Sequence, residues 1–157
     1  LTYKAKQIGY RPKIILSGRK LNDNMSKHVV NQFLKSLLKR RKKILSSKII
    51  IMGVSFKENC SDFRNSKIID IYKILKNNKF NVDLYDPIVN KKDFFQLHKI
   101  KLVQKIKENF YDSAIIAVAH EEIKKMGINK IRKILRKNSF VFDIKGIFET
   151  DKTDLRL

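Results

Sequence analysis

Two cations, Lys57 and Arg64, stand seven residues apart in one polar loop of this 157-residue chain. The loop follows an apolar, β-branched run, Ile49-Ile50-Ile51-Met52, which ends at Gly53, and it precedes a helical period that begins at Ile68. The order is strand, loop, helix. Cations at that place can converge on one anion, because the free N–H groups and the dipole at a helix's amino end favour negative charge. Open parallel sheets bind their ligands there, beyond the carboxyl ends of the strands. The chemistry predicted is the holding of a phosphorylated small molecule.

The same loop departs from a dinucleotide-binding turn, Gly-x-Gly-x-x-Gly, whose glycines let backbone touch a pyrophosphate. Here the turn offers Gly53 alone, with bulky Phe56 in the approach. Asp62 is expected to orient the loop or to cap the following helix, with Asn65 and Ser66 as alternatives for the capping. Cys60 has no histidine beside it in sequence and reads as a small buried side chain. Tyr85-Asp86-Pro87 ends a strand; an acid there would bind ribose in a true dinucleotide site, or the turn is structural and set by its proline. His120 ends another strand and is expected to cap a helix or contact a loop. His28 and His98 lack partners at metal-ligand spacing, and no metal is proposed.

Strands are predicted at 48–54, 81–85, 100–103, 113–118 and 140–144, and helices at 65–77, 120–125 and 129–136. Residues 90–97 read as a loop or a short helix. Short continuous apolar strands alternating with helices call for a sheet covered on both faces. Right-handed crossovers then give an α/β, Rossmann-like, doubly wound parallel sheet of about five strands. Ahead of it, a short helix over residues 1–9 is interrupted by Pro12, and a long helix runs from Pro12 to about Arg41. Val30, Phe33, Leu34, Leu37 and Leu38 form a wide stripe on that helix. It packs either on its own domain or on a second copy. The basic run Arg40 to Lys43 and the Ser46-Ser47 break mark a junction, so residues 1–45 are expected as a helical part and 46–157 as the sheet domain.

Composition narrows the classes. Apolar residues at 43% and charged ones at 32% describe a folded domain, not a disordered one. No apolar stretch reaches the ~20 residues that span a bilayer, so no membrane partner is expected. One cysteine excludes an internal disulfide and suits a reducing cytoplasm, the expected location. The net charge of +21 raises nucleic acid as a partner. Against that, 28 of the 36 cations are lysine, spread along every segment, whereas base readers and phosphate clamps favour arginine's planar fork. Nucleic acid is therefore the least favoured partner.

The wording of several segments resembles a known family. Phe56-Lys57-Glu58-Asn59-Cys60, Asp62, Arg64-Asn65-Ser66 and Tyr85-Asp86-Pro87 resemble the carboxyl-terminal domain of the UDP-glucose/GDP-mannose dehydrogenase family, particularly the branch oxidising UDP-N-acetylhexosamines for bacterial surface polysaccharides. Leu1-Thr2-Tyr3-Lys4-Ala5 is similar to the segment after the family's catalytic cysteine, and Ile14 to Arg19 with Asn22-Asp23 to its central helix. Ala117-Val118-Ala119-His120 and Phe142-Asp143-Ile144-Lys145-Gly146 are similar to its later strands. The resemblance implies that Lys57 reaches the nucleotide-sugar and that Arg64 contacts NAD, which the other half of the enzyme mainly holds. It places Lys145 near a basic position directed at the substrate phosphates, although Ile144-Lys145-Gly146 departs from the arginine pair of some relatives. It also implies dimerisation through the helix around Val30–Leu38.

In the whole enzyme, the resemblance implies, NAD oxidises the sugar C6 alcohol to a carboxylate through a cysteine-bound intermediate. The family's Gly-Gly-x-Cys word and NAD domain would precede Leu1, so no catalytic residue is expected in this chain and it is expected to be inactive alone. Its partners would be the UDP-sugar and a second copy, or a separately encoded amino-terminal half. The alternatives are a non-catalytic nucleotide-binding or interaction module that keeps the fold alone, and a basic nucleic-acid binder.

Overall fold

A computed structural model describes residues 4, 7, 9, 11–39 and 47–157. The expected junction at 45/46, the basic run ahead of it and most of the expected 1–9 helix lie outside these residues. Helix α1 spans Lys13–Lys39. It starts just after Pro12, whose carbonyl accepts the Leu16 N–H at 3.0 Å; the missing proline N–H costs nothing in a first turn. Val29, Val30, Phe33 and Leu37 recur at helical spacing and are buried. The Phe33 ring meets Phe80, Phe140 and Phe142 at centroid distances of 6.5, 5.7 and 6.3 Å. Most of the wide stripe therefore packs on the chain's own sheet. Leu34 is half-buried against that core, and only Leu38, 61% exposed, is left for another molecule.

The sheet has β1 (Lys48–Met52), β2 (Asn81–Tyr85), β3 (Tyr111–Ile116), β4 (Leu135–Asp143) and β5 (Leu155–Arg156), in the order β2-β1-β3-β4-β5. All neighbouring pairs are parallel. Between them lie α2 (Ile68–Asn77), α3 (Lys91–His98), α4 (Glu121–Ile134) and a short 3₁₀ turn, Thr150–Lys152. Alternate strand residues divide two cores. Ile49, Ile51, Ile115, Phe140 and Phe142 pack with α1, α2 and α3. Ile50, Met52, Ala114, Ile116 and Val141 pack with Ile123, Ile131 and Ile134 of α4. A sheet buried on both faces needs apolar residues at successive positions. The run Ile49 to Met52 meets that need, and every member is fully buried.

Two expectations change. Residues 100–103 form no strand, only a parallel bridge between Leu102 and Leu84 with the Val103 N–H donating to the Leu84 carbonyl at 2.8 Å. The fifth strand is instead β5, whose two residues are too short for any periodicity to show. The two helices expected at 120–125 and 129–136 are both present as the halves of α4, parted at Gly127, whose φ of 72° and ψ of 157° are not helical; the second ends at Ile134 and the chain turns into β4 at Leu135. Residues 91–98 are helical because the Asn90 side chain caps them, accepting from the N–H groups of Lys92 and Asp93 at 2.9 and 3.2 Å. Among the described residues no helix is long and apolar enough to cross a membrane.

Candidate functional site

The strand order reverses direction between β1 and β3: the chain leaves β1 for β2 on one side and returns to β3 on the other. That switch point is where such sheets open a crevice. Gly53 sits at its base with φ 92°, and a Cβ there would lie 2.5 Å from the Val118 Cβ. Glycine is needed because the backbones after β1 and β3 touch; the Ala117 and Val118 N–H groups both donate to the Met52 carbonyl, at 2.9 and 3.3 Å. The turn also carries one glycine where a pyrophosphate-binding turn carries three, with Phe56 following it. The residues present do not form an NAD cradle.

Immediately above lies a cavity of about 390 Å³. Lys57 enters it from the loop after β1 and Lys145 from the loop after β4. Asn65, Ser66 and Lys67, at the amino end of α2, form another wall. From α1, Met25 and Val29 add an apolar side, with Asn22 and Ser26 beside them. No Asp or Glu side chain is found among the described lining residues, and Leu157, just past β5, adds to the wall. Lys67 is neutralised by Asp23, 2.9 Å away; each raises the charge bias of the other, the carboxyl held below its usual range and the ammonium above. Lys57 and Lys145 have no carboxylate partner among the described residues. The cavity therefore combines two cations without a carboxylate partner among the described residues, a helix amino end and an apolar wall. Those are the parts needed to hold a phosphorylated molecule carrying a flat or apolar group.

Two buried carboxylates build the loops that carry those lysines. Asp86 is fully buried, and its Oδ2 accepts the N–H groups of Val54 and Ser55 at 2.7 and 3.3 Å. Its Oδ1 accepts those of Ile88 and Val89 at 2.9 and 3.0 Å. Asp143, equally buried, accepts at Oδ1 from Lys145 and Gly146 (3.1 and 2.8 Å) and at Oδ2 from Phe148 (2.9 Å). Carboxylates buried this way organise backbone instead of reaching a ligand. For Asp86 this is the structural alternative to a ribose contact, made through the carboxylate more than through Pro87.

Other singled-out residues fall elsewhere. Arg64 does not line the cavity. Its guanidinium forms a forked pair with Asp62, Nε to Oδ1 at 3.0 Å and a terminal nitrogen to Oδ2 at 2.8 Å, on an exposed loop. Asp62 thus orients the loop, and Ser66 is the residue that accepts from the α2 amino end, taking the Ile68 N–H at 3.3 Å. Cys60 is half-buried, not buried, and its sulfur accepts the Asp62 N–H at 3.4 Å. His120 begins α4 without capping it; the cap comes from Asn59, whose Oδ1 accepts the Glu121 N–H at 2.9 Å. The residues of α1 that wall the cavity were not legible as site residues, since their spacing signals only a packed helix. Ser55 carried a faint signal, as a hydroxyl two residues past the glycine that ends β1.

Known proteins share this sequence and this fold. The chain is 44% identical over its full length to the UDP-N-acetyl-D-glucosamine 6-dehydrogenase of Pseudomonas aeruginosa and 39% identical to that of Salmonella typhi, in each case covering 37% of the relative. It thus spans about a third of the length of these curated relatives. Among solved structures, the NDP-N-acetyl-D-galactosaminuronic acid dehydrogenase of Methanosarcina mazei superposes with a TM-score of 0.75 at 22% identity, over 87% of this chain and 28% of that one. A UDP-glucose dehydrogenase from Pyrobaculum islandicum gives 0.74 at 17% identity, over 99% and 34%; at such identities these two show the fold alone. Residues 50–150, which hold most of β1 and all of β2, β3 and β4, match the family model for the UDP-binding domain, and the chain belongs to the UDP-glucose/GDP-mannose dehydrogenase family.

Proposed function

We propose that this chain is the nucleotide-sugar-binding portion of an NAD-dependent UDP-sugar 6-dehydrogenase, with a UDP-N-acetylhexosamine as substrate and a UDP-uronic acid for polysaccharide synthesis as product. The observation that carries this reading is the meeting of Lys57 and Lys145, far apart in sequence, in one cavity at the amino end of α2. Two unpaired ammonium groups match the two negative phosphates of UDP. The apolar wall of Met25 and Val29 suits the base or the sugar. The names of the relatives point to the N-acetylhexosamine.

Within this reading Lys57 and Lys145 bind the substrate. Arg64, outside the cavity and held by Asp62, meets NAD carried by another part of the enzyme. Residues 1–45 then form the helical part and 46–157 the UDP-sugar domain. The helix would contact a second copy or the NAD-bearing half, through Leu38 and the exposed Ile14, Leu21 and Met25.

The test is calorimetry of UDP against the chain and its Lys57→Ala and Lys145→Ala variants at two salt concentrations. A charge-assisted hydrogen bond contributes about 1.5–3 kcal/mol, so each loss should weaken UDP roughly ten- to a hundredfold. Arg64→Ala should do less. Equal, small losses at Lys57, Arg64 and the distant control Lys130 would count against a specific site. The second reading, a nucleic-acid binder, rests on the charge of +21. It would show as salt-sensitive binding to random DNA with no preference for UDP.

A further inference from the structure

We propose that His120 is a positioning residue for the Lys57 ammonium, acting through Ser55 and Asn59, an inference that rests on the cavity's reading as the nucleotide-sugar site. The imidazole is fully buried behind the loop that follows β1. Its Nδ1 accepts the Asn59 N–H at 3.0 Å, which leaves the ring proton on Nε2. Nε2 lies 3.0 Å from Ser55 Oγ and 3.2 Å from Asp86 Oδ2 and donates to both. Ser55 Oγ is free to accept because it gives its own proton to the Lys57 carbonyl at 2.8 Å. Every donor in this set therefore has one consistent direction.

The consequence is mechanical. One ring grips the loop at Ser55 and at Asn59, and Lys57 lies midway between them. Asn59 sits at φ 54°, in the left-handed region that asparagine tolerates better than most non-glycine residues. Its N–H is tied to His120 and its Oδ1 to the Glu121 N–H. Ser55 lines the cavity beside Lys57, so the strap ends at the ligand's wall. An imidazole suits the task because it accepts at one nitrogen and donates at the other across a rigid ring. Asparagine can replace the acceptor at Nδ1, and glutamine the donor at Nε2, but neither spans both.

The test compares the chain with Ser55→Ala, His120→Asn and His120→Gln, each alone and in a Lys57→Ala background. UDP affinity, thermal unfolding and amide hydrogen exchange over residues 54–59 are read for each. Loss of one such hydrogen bond should weaken UDP about threefold to tenfold in the single variants, with almost no further loss once Lys57 is alanine. The amides of residues 54–59 should exchange faster while those of β1 and β3 stay protected. A purely structural histidine would lower the melting temperature and leave UDP affinity unchanged, or would weaken UDP equally in both backgrounds; either result overturns the proposal. If His120→Asn and His120→Gln fail to fold, Ser55→Ala decides through the comparison of backgrounds: loss of the strap weakens UDP only while Lys57 is present, whereas loss of a direct wall contact weakens it equally in both and overturns the proposal. If the unaltered chain binds no UDP, the nucleotide-sugar reading has failed. The positioning role is then judged on exchange alone: unchanged protection at Lys57 and Asn59 refutes it, and faster exchange confined to the loop supports it.

Discussion

Single residues set the geometry of the switch point, and glycine at position 53 is the least replaceable. Alanine there would keep a positive φ at a cost of about 1–3 kcal/mol, and its methyl would meet Val118 at 2.5 Å. Gly53→Ala should therefore lower the melting temperature sharply, and it should part the backbones after β1 and β3. Asp62 offers a second test. The forked contact and the backbone N–H of Arg64 hold its carboxyl down to about 2, against an ordinary 3.8. A depressed carboxylate contributes order above its ordinary range and loses it as pH falls through the folded value. The Asp62–Arg64 pair should thus persist at pH 4 and open as pH falls toward 2, which carboxyl-carbon NMR can follow. At this scale motif and position in the sequence singled out Lys57, Lys145 and Gly53, which the fold brings to one end of the sheet. The sequence did not expose the roles of Ser55 and His120, because their bond joins residues 65 apart and no local pattern encodes it.

Elements were legible in proportion to their length and their contrast with neighbours. The continuous apolar run of β1 and the 3.6-residue stripe of α1 both announced themselves. β5 did not, because two residues carry no period, and Leu102 resembled a strand because a lone bridge at a sheet edge leaves the same apolar trace. Which surface α1 covers was open in the sequence, since an apolar stripe fits a neighbour within the chain or outside it. The three phenylalanines around Phe33 decide for the chain's own sheet. Phe33→Ala should then cost about 3–5 kcal/mol of stability, measured by denaturant unfolding, and this cost should not vary with protein concentration. Leu38→Asp should barely change stability. If it does alter a sedimentation profile, the exposed side of α1 is the contact surface.

At the scale of the whole molecule, the proposed reading separates the binding of a nucleotide-sugar from its oxidation. Two hydride transfers need a bound nicotinamide and a thiol able to form the covalent intermediate. The one cysteine, Cys60, accepts the Asp62 N–H and lies on a loop that no element directs into the cavity's lining. The turn after β1 offers Gly53 alone, without the further glycines that let backbone touch a pyrophosphate. The 157-residue chain by itself should accordingly bind UDP and form no NADH from any UDP-hexose or UDP-N-acetylhexosamine. Absorbance at the NADH band, with the substrate panel and excess NAD, checks this directly. Cys60→Ser should leave UDP affinity unchanged, since its sulfur serves only the loop. Steady turnover by the pure chain, abolished by Cys60→Ser, would instead make that thiol the nucleophile and would overturn the assignment of this domain to binding alone.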